Sequence, residues 1–152
     1  MRPLSRRSDP PLCPSGDARA AGANVFAIAG AGAGGRAGYL DRVKPVDEAV
    51  LALAAPLDPA NIYRVAVPCA ADGCMHFEGG RCQVAARMVE HLDAAAGPLP
   101  ACAIRPACRW WREAGPAACR RCPEIATTPL APTPAELLIA GEAGGGIAAA
   151  AD

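Results

Sequence analysis

Cysteine is the residue type in this chain whose spacing most clearly indicates chemistry. Four cysteines lie close to one another in sequence, from Cys102 to Cys122. They are Cys102, Cys108, Cys119 and Cys122, and the last two form a C-x-x-C pair. Four thiolates complete an all-cysteine metal site or hold an iron–sulfur cluster. Arginines within the same segment would offset the negative charge of such a site and raise a cluster's reduction potential. We therefore predict an iron–sulfur cluster here, with zinc as the alternative.

A second group of ligand types lies upstream, at Cys69, Cys74, His76 and Cys82. Three thiols and one imidazole make a mixed cysteine/histidine zinc site. The same three thiols together with Cys102 would instead hold a cluster. A third interpretation leaves His76 as a loop histidine in contact with water. The spacing leaves open whether the clustered cysteines make one site or two.

Charge and targeting signals restrict where the protein works and what it binds. The formal net charge is +0, so no global field draws the chain to nucleic acid or to an anionic membrane. No stretch approaches the ~18 consecutive apolar residues of a membrane span. The Arg6–Arg7 pair is followed by Ser-Asp-Pro-Pro instead of the hydrophobic stretch of an export signal. We therefore predict a cytoplasmic protein, where cysteine clusters bind metal more often than they form disulfides; an exported disulfide protein is the alternative.

The remaining motifs indicate partners only weakly. Trp110 and Trp111, flanked by Arg109 and Arg112, would suit base stacking and phosphate contact. Large side chains are scarce in this chain, which favours core packing for at least one tryptophan. A protein partner, either a redox protein or a metalloenzyme, is therefore expected before nucleic acid.

No catalytic constellation is evident. Residues 30–35 satisfy G-x-G-x-x-G, but the amphipathic helix that a dinucleotide-binding unit needs does not follow. No serine lies near a histidine, and no carboxylates are paired in an apolar setting. Enzymatic activity is left open, and a non-enzymatic role is preferred.

The elements that must position the cysteines are expected mainly within residues 58–128, a cysteine-rich domain. The pattern predicts a strand at residues 62–67 and a helix at 82–95. The buried face predicted for that helix consists of Cys82, Ala85, Ala86, Val89 and Leu92. Proline and glycine predict two short helical turns around residues 106–113 and 116–122.

The flanking regions are expected to be Ala/Gly/Pro-rich and largely disordered, over residues 1–57 and 129–152. Within them, a short strand is predicted at 25–29 and short helices at 46–55 and 134–140. Cys13 is interpreted as a solvent-exposed thiol without a partner. The predicted fold is small, cysteine-rich and mainly α with little β, an irregular metal- or cluster-stabilised domain with disordered termini.

The function predicted from these features is that of a small iron–sulfur protein in electron transfer, redox sensing or service to a metalloenzyme. The alternative is a zinc-stabilised module that binds protein or nucleic acid through an Arg/Trp surface.

Overall fold

A computed structural model describes residues 10–125, 127 and 131–141. This part of the chain is about 39% helix and 20% strand, so the fold is mixed α/β. The prediction of a mainly α domain with little β was wrong. The extra strands are short or glycine-flanked. Leu12–Cys13 pairs with Tyr63–Pro68, which is distant in sequence, whereas Phe77–Glu78 and Arg81–Cys82 form a hairpin of two-residue strands with no periodic pattern.

The strands, in chain order, are β1 (Leu12–Cys13), β2 (Asn24–Ile28), β3 (Gly38–Pro45), β4 (Tyr63–Pro68), β5 (Phe77–Glu78) and β6 (Arg81–Cys82). The α-helices are α1 (Glu48–Ala54), α2 (Pro59–Ile62), α3 (Gln83–His91), α4 (Arg109–Ala114), α5 (Pro116–Cys119) and α6 (Pro134–Ala140). Short 3-10 helices lie at Ala33–Gly35, Ala71–Gly73, Arg105–Ala107 and Cys122–Glu124.

A four-stranded antiparallel sheet in the order β1-β4-β2-β3 organises the molecule. Successive residues of a strand point to opposite faces, so β4 serves two cores. Tyr63 and Val65 join one core with Val50 of α1. Ala66 joins the other, with Phe26 of β2 and the helices that follow β4. The cysteine-bearing helices therefore pack on one face of the sheet.

The region before residue 58 supplies three of the four strands. Phe26 and Ala27 of β2 are buried, and Asp47 caps α1 by accepting a hydrogen bond from the Val50 amide at 2.9 Å. The strand and the helix predicted there are confirmed. The sequence analysis expects residues 1–57 to be largely disordered, whereas the structure places three strands and α1 among them. The sequence pattern does not show β1 and β3, because these strands acquire their partners only in the assembled sheet. Residues 1–9 lie outside the described part.

The helix after β6 is shorter than predicted, and its buried face differs in part. α3 buries Val84, Ala85 and Met88, whereas Ala86 is exposed. The predicted face was wrong in part, because Cys82 ends β6 and occupies the N-cap position. Ala85 is buried as predicted, Cys82 and Leu92 are partly buried against the core, and the first buried residue of the helix is Val84.

The last described element confirms one expectation within residues 129–152. α6 occupies the predicted positions, and Thr133 and Glu136 form a capping box at its start. Ile139 of α6 is fully buried, and α6 packs against α3. Residues 128–130 and 142–152 lie outside the described part. Within the ranges that the structure describes, no helix has the length and apolarity needed to cross a membrane.

Candidate functional site

The four C-terminal cysteines come from four separate short turns and line one cavity. We call them the Cys102 set: Cys102, Cys108, Cys119 and Cys122. Cys108 caps α4, Cys119 ends α5 and Cys122 begins a 3-10 helix. Gly115, at φ 59°, separates α4 from α5, a backbone conformation that favours glycine. The predicted grouping of these thiols therefore has a local structural cause.

The cavity between these cysteines is mostly apolar. The space between the side chains that a water molecule could occupy is small, about 20 Å³. Besides the thiols, its lining is made of Pro14, Phe26, Tyr39, Pro100, Ile104, Arg105, Trp110 and Ala118. Such walls exclude water and strengthen electrostatic interactions inside.

Arg64 of β4 is the most informative residue beside this cavity, and the sequence analysis missed it. Its side chain is fully buried. One terminal nitrogen donates to the carbonyls of Cys122 and Ile125, at 2.9 and 2.8 Å. The other donates to the Pro14 carbonyl at 3.1 Å and to the Cys122 sulfur at 3.4 Å. A charged residue within an otherwise apolar strand was the signal available in the sequence.

The guanidinium of Arg64 also lies over the rings of Phe26 and Trp110, at 5.3 and 5.7 Å, and an anionic neighbour would balance its charge. A guanidinium stays protonated in proteins, and a buried charge is costly unless it is paired. Among the described residues, no carboxylate forms a salt bridge or a hydrogen bond with Arg64. Burial lowers the pKa of Arg64, but the charges of Cys122, Tyr39 and Cys108 raise it by more. The natural counter-charge is therefore a thiolate at the cavity.

Two further polar groups face the same space. The Tyr39 hydroxyl is buried and has no hydrogen-bond partner among the described residues. Burial raises the pKa of Tyr39, and the neighbouring Cys122 charge raises it further. Arg105 lies over the Trp111 ring at 5.5 Å. Burial raises the pKa of Cys119, and the Arg105 guanidinium partly opposes that shift. Tyr39 and Arg105 thus place two polar side chains in the lining of the cavity.

Burial favours the neutral form of three thiols of the set, because it raises the pKa of Cys102, Cys108 and Cys119. At Cys108, backbone N–H groups of Trp111 and Trp110 partly oppose that shift in pKa. Coordination to a metal deprotonates a thiol outright, so the thiolates around a bound metal or cluster would supply negative charge near Arg64.

The geometry of the cysteines also has to be compared with that of a single-ion site. Among the described residues, no three His, Cys, Asp or Glu side chains form a group that could hold one metal ion. A zinc ion takes its sulfur ligands at ≈ 2.3 Å, whereas an iron–sulfur cluster is a larger body. The Cys102 set lines one small cavity, and holding a cluster there would require its four turns to move apart.

The upstream candidates lie in the loop and hairpin between β4 and α3. Cys69 follows β4, Cys74 follows a 3-10 helix and Cys82 ends β6. His76 is buried, and its carbonyl accepts from the Gln83 amide at 2.7 Å. The interpretation of His76 as a loop histidine in contact with water does not fit that burial.

Cys13 joins the upstream cysteines and is not an isolated exposed thiol. It lies on β1 opposite Val67 and is half-buried. Burial, followed by the charges of Cys82, Cys69 and Cys74, raises the pKa of Cys13 to about 12. Cys102, which the sequence analysis considered as a fourth partner for that trio, lies with its own set instead.

Most arginines of the C-terminal segment donate hydrogen bonds to backbone carbonyls. Arg121 donates to the carbonyls of Leu92 and Ala117, both at 2.7 Å. Arg120 donates to the Gly97 carbonyl at 2.5 Å, and Arg109 pairs with Glu113. Of the five arginines considered as charge compensation, Arg105 is the one that lines the cavity.

The tryptophans are divided between the core and its edge. Trp110 is 2% exposed, which confirms the prediction that at least one tryptophan packs in the core. Trp111 is partly buried against that core. A base could therefore not stack on Trp110, because its ring is already covered.

All eight cysteines are free thiols in the structure. No protein-family model, no curated protein and no solved structure matches the chain.

Proposed function

We propose that the protein binds an iron–sulfur cluster through the Cys102 set and acts in electron transfer, in redox sensing or as the accessory of a metalloenzyme. Arg64 carries the proposal: it is a fully buried cation that donates to the Cys122 sulfur. A thiolate-ligated cluster carries net negative charge, which a buried guanidinium balances. We propose the four-iron form, because the four thiols come from separate turns and each iron of that form takes one thiolate.

Each residue around the cavity then has a distinct task. The four cysteines ligate, and Arg64 donates to the sulfur of Cys122. The Tyr39 hydroxyl supplies a further donor, and hydrogen bonds to sulfur raise a cluster's reduction potential. Phe26 and Trp110 restrict water. When bound, the cluster accepts or releases one electron.

The proposal also includes a reducing compartment and a protein partner. Free thiols persist in the cytoplasm, where glutathione and thioredoxin keep them reduced. A small electron carrier needs a redox protein or a metalloenzyme with which to exchange its electron. Supporting this, Trp110 is taken up by the core and leaves little of the surface that nucleic-acid stacking would use.

Anaerobic purification with iron and acid-labile sulfide analysis tests the proposal. We expect a brown protein with absorption near about 400 nm and at least about four irons per chain. Cys119→Ala, at a half-buried thiol of the set, should lose about four irons. Arg36→Ala is the matched control for purification and loading, because Arg36 is exposed and contacts Glu124 instead of a thiol.

Two results would overturn the proposal. One is a colourless protein with stoichiometric zinc and no sulfide. The other is a folded Cys119→Ala protein, judged by circular dichroism, that binds as much iron as the unaltered chain.

A further inference from the structure

The four cysteines outside the Cys102 set are brought together by strand pairing. β1 and β4 are antiparallel, with Cys13 opposite Val67. The Cys69 amide extends this ladder by donating to the Pro11 carbonyl at 2.8 Å. Cys13 and Cys69 are therefore diagonal neighbours on one face, a relationship with a typical separation of about 7–8 Å.

The loop after β4 adds the other two thiols. The Cys74 amide donates to the Ala71 carbonyl at 2.8 Å, and the Phe77 amide donates to the Cys74 carbonyl at 3.0 Å. Phe77 pairs with Cys82 in the hairpin of β5 and β6. Cys74 and Cys82 therefore lie on neighbouring segments, and both are half-buried.

A backbone donor to sulfur lies within this second group. The Ala71 amide donates to the Cys69 sulfur at 3.4 Å. Cys82 packs at the edge of the core that contains Trp110. Hydrogen bonds to sulfur stabilise and tune a cluster.

We infer that Cys13, Cys69, Cys74 and Cys82, the Cys13 set, bind a second thiolate-ligated iron–sulfur cluster. The eight cysteines then divide into two sets of four, with none left over. His76 remains a neighbour of this site, and Cys13 takes the fourth ligand position that the sequence analysis had given to His76. The inference rests on the proposed function only for the kind of cofactor.

The two sets are connected through the core. Leu12 forms a β-bridge with Cys108 of the first set, and the next residue, Cys13, belongs to the second. Trp110 lines the first cavity, and Cys82 of the second set packs against the core to which Trp110 belongs. The two sets would thus share one core.

Iron and sulfide counting on the full chain tests the inference, with anaerobic reconstitution from ferrous iron and sulfide. The unaltered protein should hold about eight irons, four for each cluster. Cys13→Ala should fall to about half of that value and retain the iron of the Cys102 set. His76→Asn should retain the full amount, because its imidazole is not a ligand.

Paramagnetic resonance of the reduced protein supplies a second readout. Two nearby reduced clusters should give a spin-coupled spectrum that simplifies to that of one cluster in Cys13→Ala. If that variant does not fold by circular dichroism, the nearly isosteric Cys13→Ser carries the same test.

The outcomes separate the inference from the proposed function. About four irons per chain, lost in Cys119→Ala and unchanged in Cys13→Ala, would overturn the second cluster and leave the first intact. A half-loss in His76→Asn but none in Cys13→Ala would overturn the ligand assignment. A protein without iron or sulfide would overturn both proposals.

Discussion

The Cys102 set and the Cys13 set each bring four thiols together, but they draw on different lengths of chain. The first is formed by short turns between Cys102 and Cys122, whereas the second needs Cys13 from β1 and three cysteines from beyond β4. Local turns bring ligands together without help from the sheet. Strand pairing brings ligands together only after distant segments have met, so the second set depends more on the global fold.

Their electrostatic surroundings differ as well. The Cys102 set lies against the buried guanidinium of Arg64. The Cys13 set lies near Glu113, whose carboxylate accepts from the Cys82 amide at 3.0 Å and is paired with Arg109, so that pair adds no net charge. Positive charge near a cluster favours its reduced form. The first cluster should therefore have the higher reduction potential.

Among the variants that test this difference between the two sets, Arg64→Met is expected to have the largest effect. Removing one partner of a buried charge pair costs about 3–5 kcal/mol, so the loaded protein should unfold at much lower urea concentration and lose the iron of the Cys102 set. Arg36→Met is the control, because the Arg36–Glu124 pair is 45% and 36% exposed and such pairs contribute about 0–1 kcal/mol. Equal urea midpoints for the two variants would contradict the counter-charge role.

Gly16→Ala should act on the second set alone. A Cβ at Gly16 would lie 2.4 Å from a Val67 methyl carbon, and Val67 is the residue that faces Cys13. Overpacking of this kind costs about 1–3 kcal/mol, and we expect iron loss from the Cys13 set. Adding Val67→Ala removes the clash and should restore the iron; a failure to do so would show that the steric cause is wrong.

The pH dependence of stability should distinguish the metal-free protein from the loaded one. The pKa of Cys108 in the fold is raised above its ordinary value of 9.0, so the folded state holds that proton more tightly than the unfolded state does. Stability is fully present below pH 9.0 and falls as pH rises above it, by about 1.4 kcal/mol per pH unit for one fully buried thiol.

Urea titrations of the metal-free chain at about pH 8 and about pH 10 measure that dependence. Cys108→Ala should show the smaller loss, because it lacks the titrating thiol. The loaded protein should show less dependence, since coordinated thiols are already deprotonated. A loaded protein as pH-sensitive as the metal-free one would contradict thiolate ligation by Cys108.

The smallest effect is expected from Glu113→Gln, which preserves an acceptor for the Cys82 amide and removes one negative charge. The reduction potential of the Cys13 set should rise by an amount on the order of 50 mV, from a charge at close range in a partly screened site. The potential of the Cys102 set should change less. Anaerobic redox titration measures both, and equal shifts would contradict the separate electrostatic control of the two sets.

Sequence reasoning reached the Cys102 set because proline, glycine and cysteine spacing act locally. The strand at β4 and the helices α1 and α6 were predictable from the same kind of local pattern. β1 was not, because a two-residue strand has no periodicity and depends on pairing with β4. Cys13 was misjudged for that reason.

Arg64 and Tyr39 were missed for a related reason. Strand alternation predicts that Arg64 and Val65 point to opposite faces, but it cannot say which face carries thiols. Tyr39 lies near the start of β3, which is an edge strand of the sheet. Its approach to Cys122 depends on the packing of β3 beside the C-terminal turns. The positions of Arg64 and Tyr39 beside the thiols are thus set by tertiary structure.

The bridge between Leu12 and Cys108 has a consequence for how the protein is made. On the ribosome, β1 emerges early, yet its partners in β4 and at α4 are synthesised much later. Contacts between residues so far apart in sequence form slowly, and β1 stays exposed until β4 and α4 have been synthesised. Loading of the proposed cluster would therefore follow synthesis through Cys122, and a chain truncated before that residue would lack one ligand of the Cys102 set.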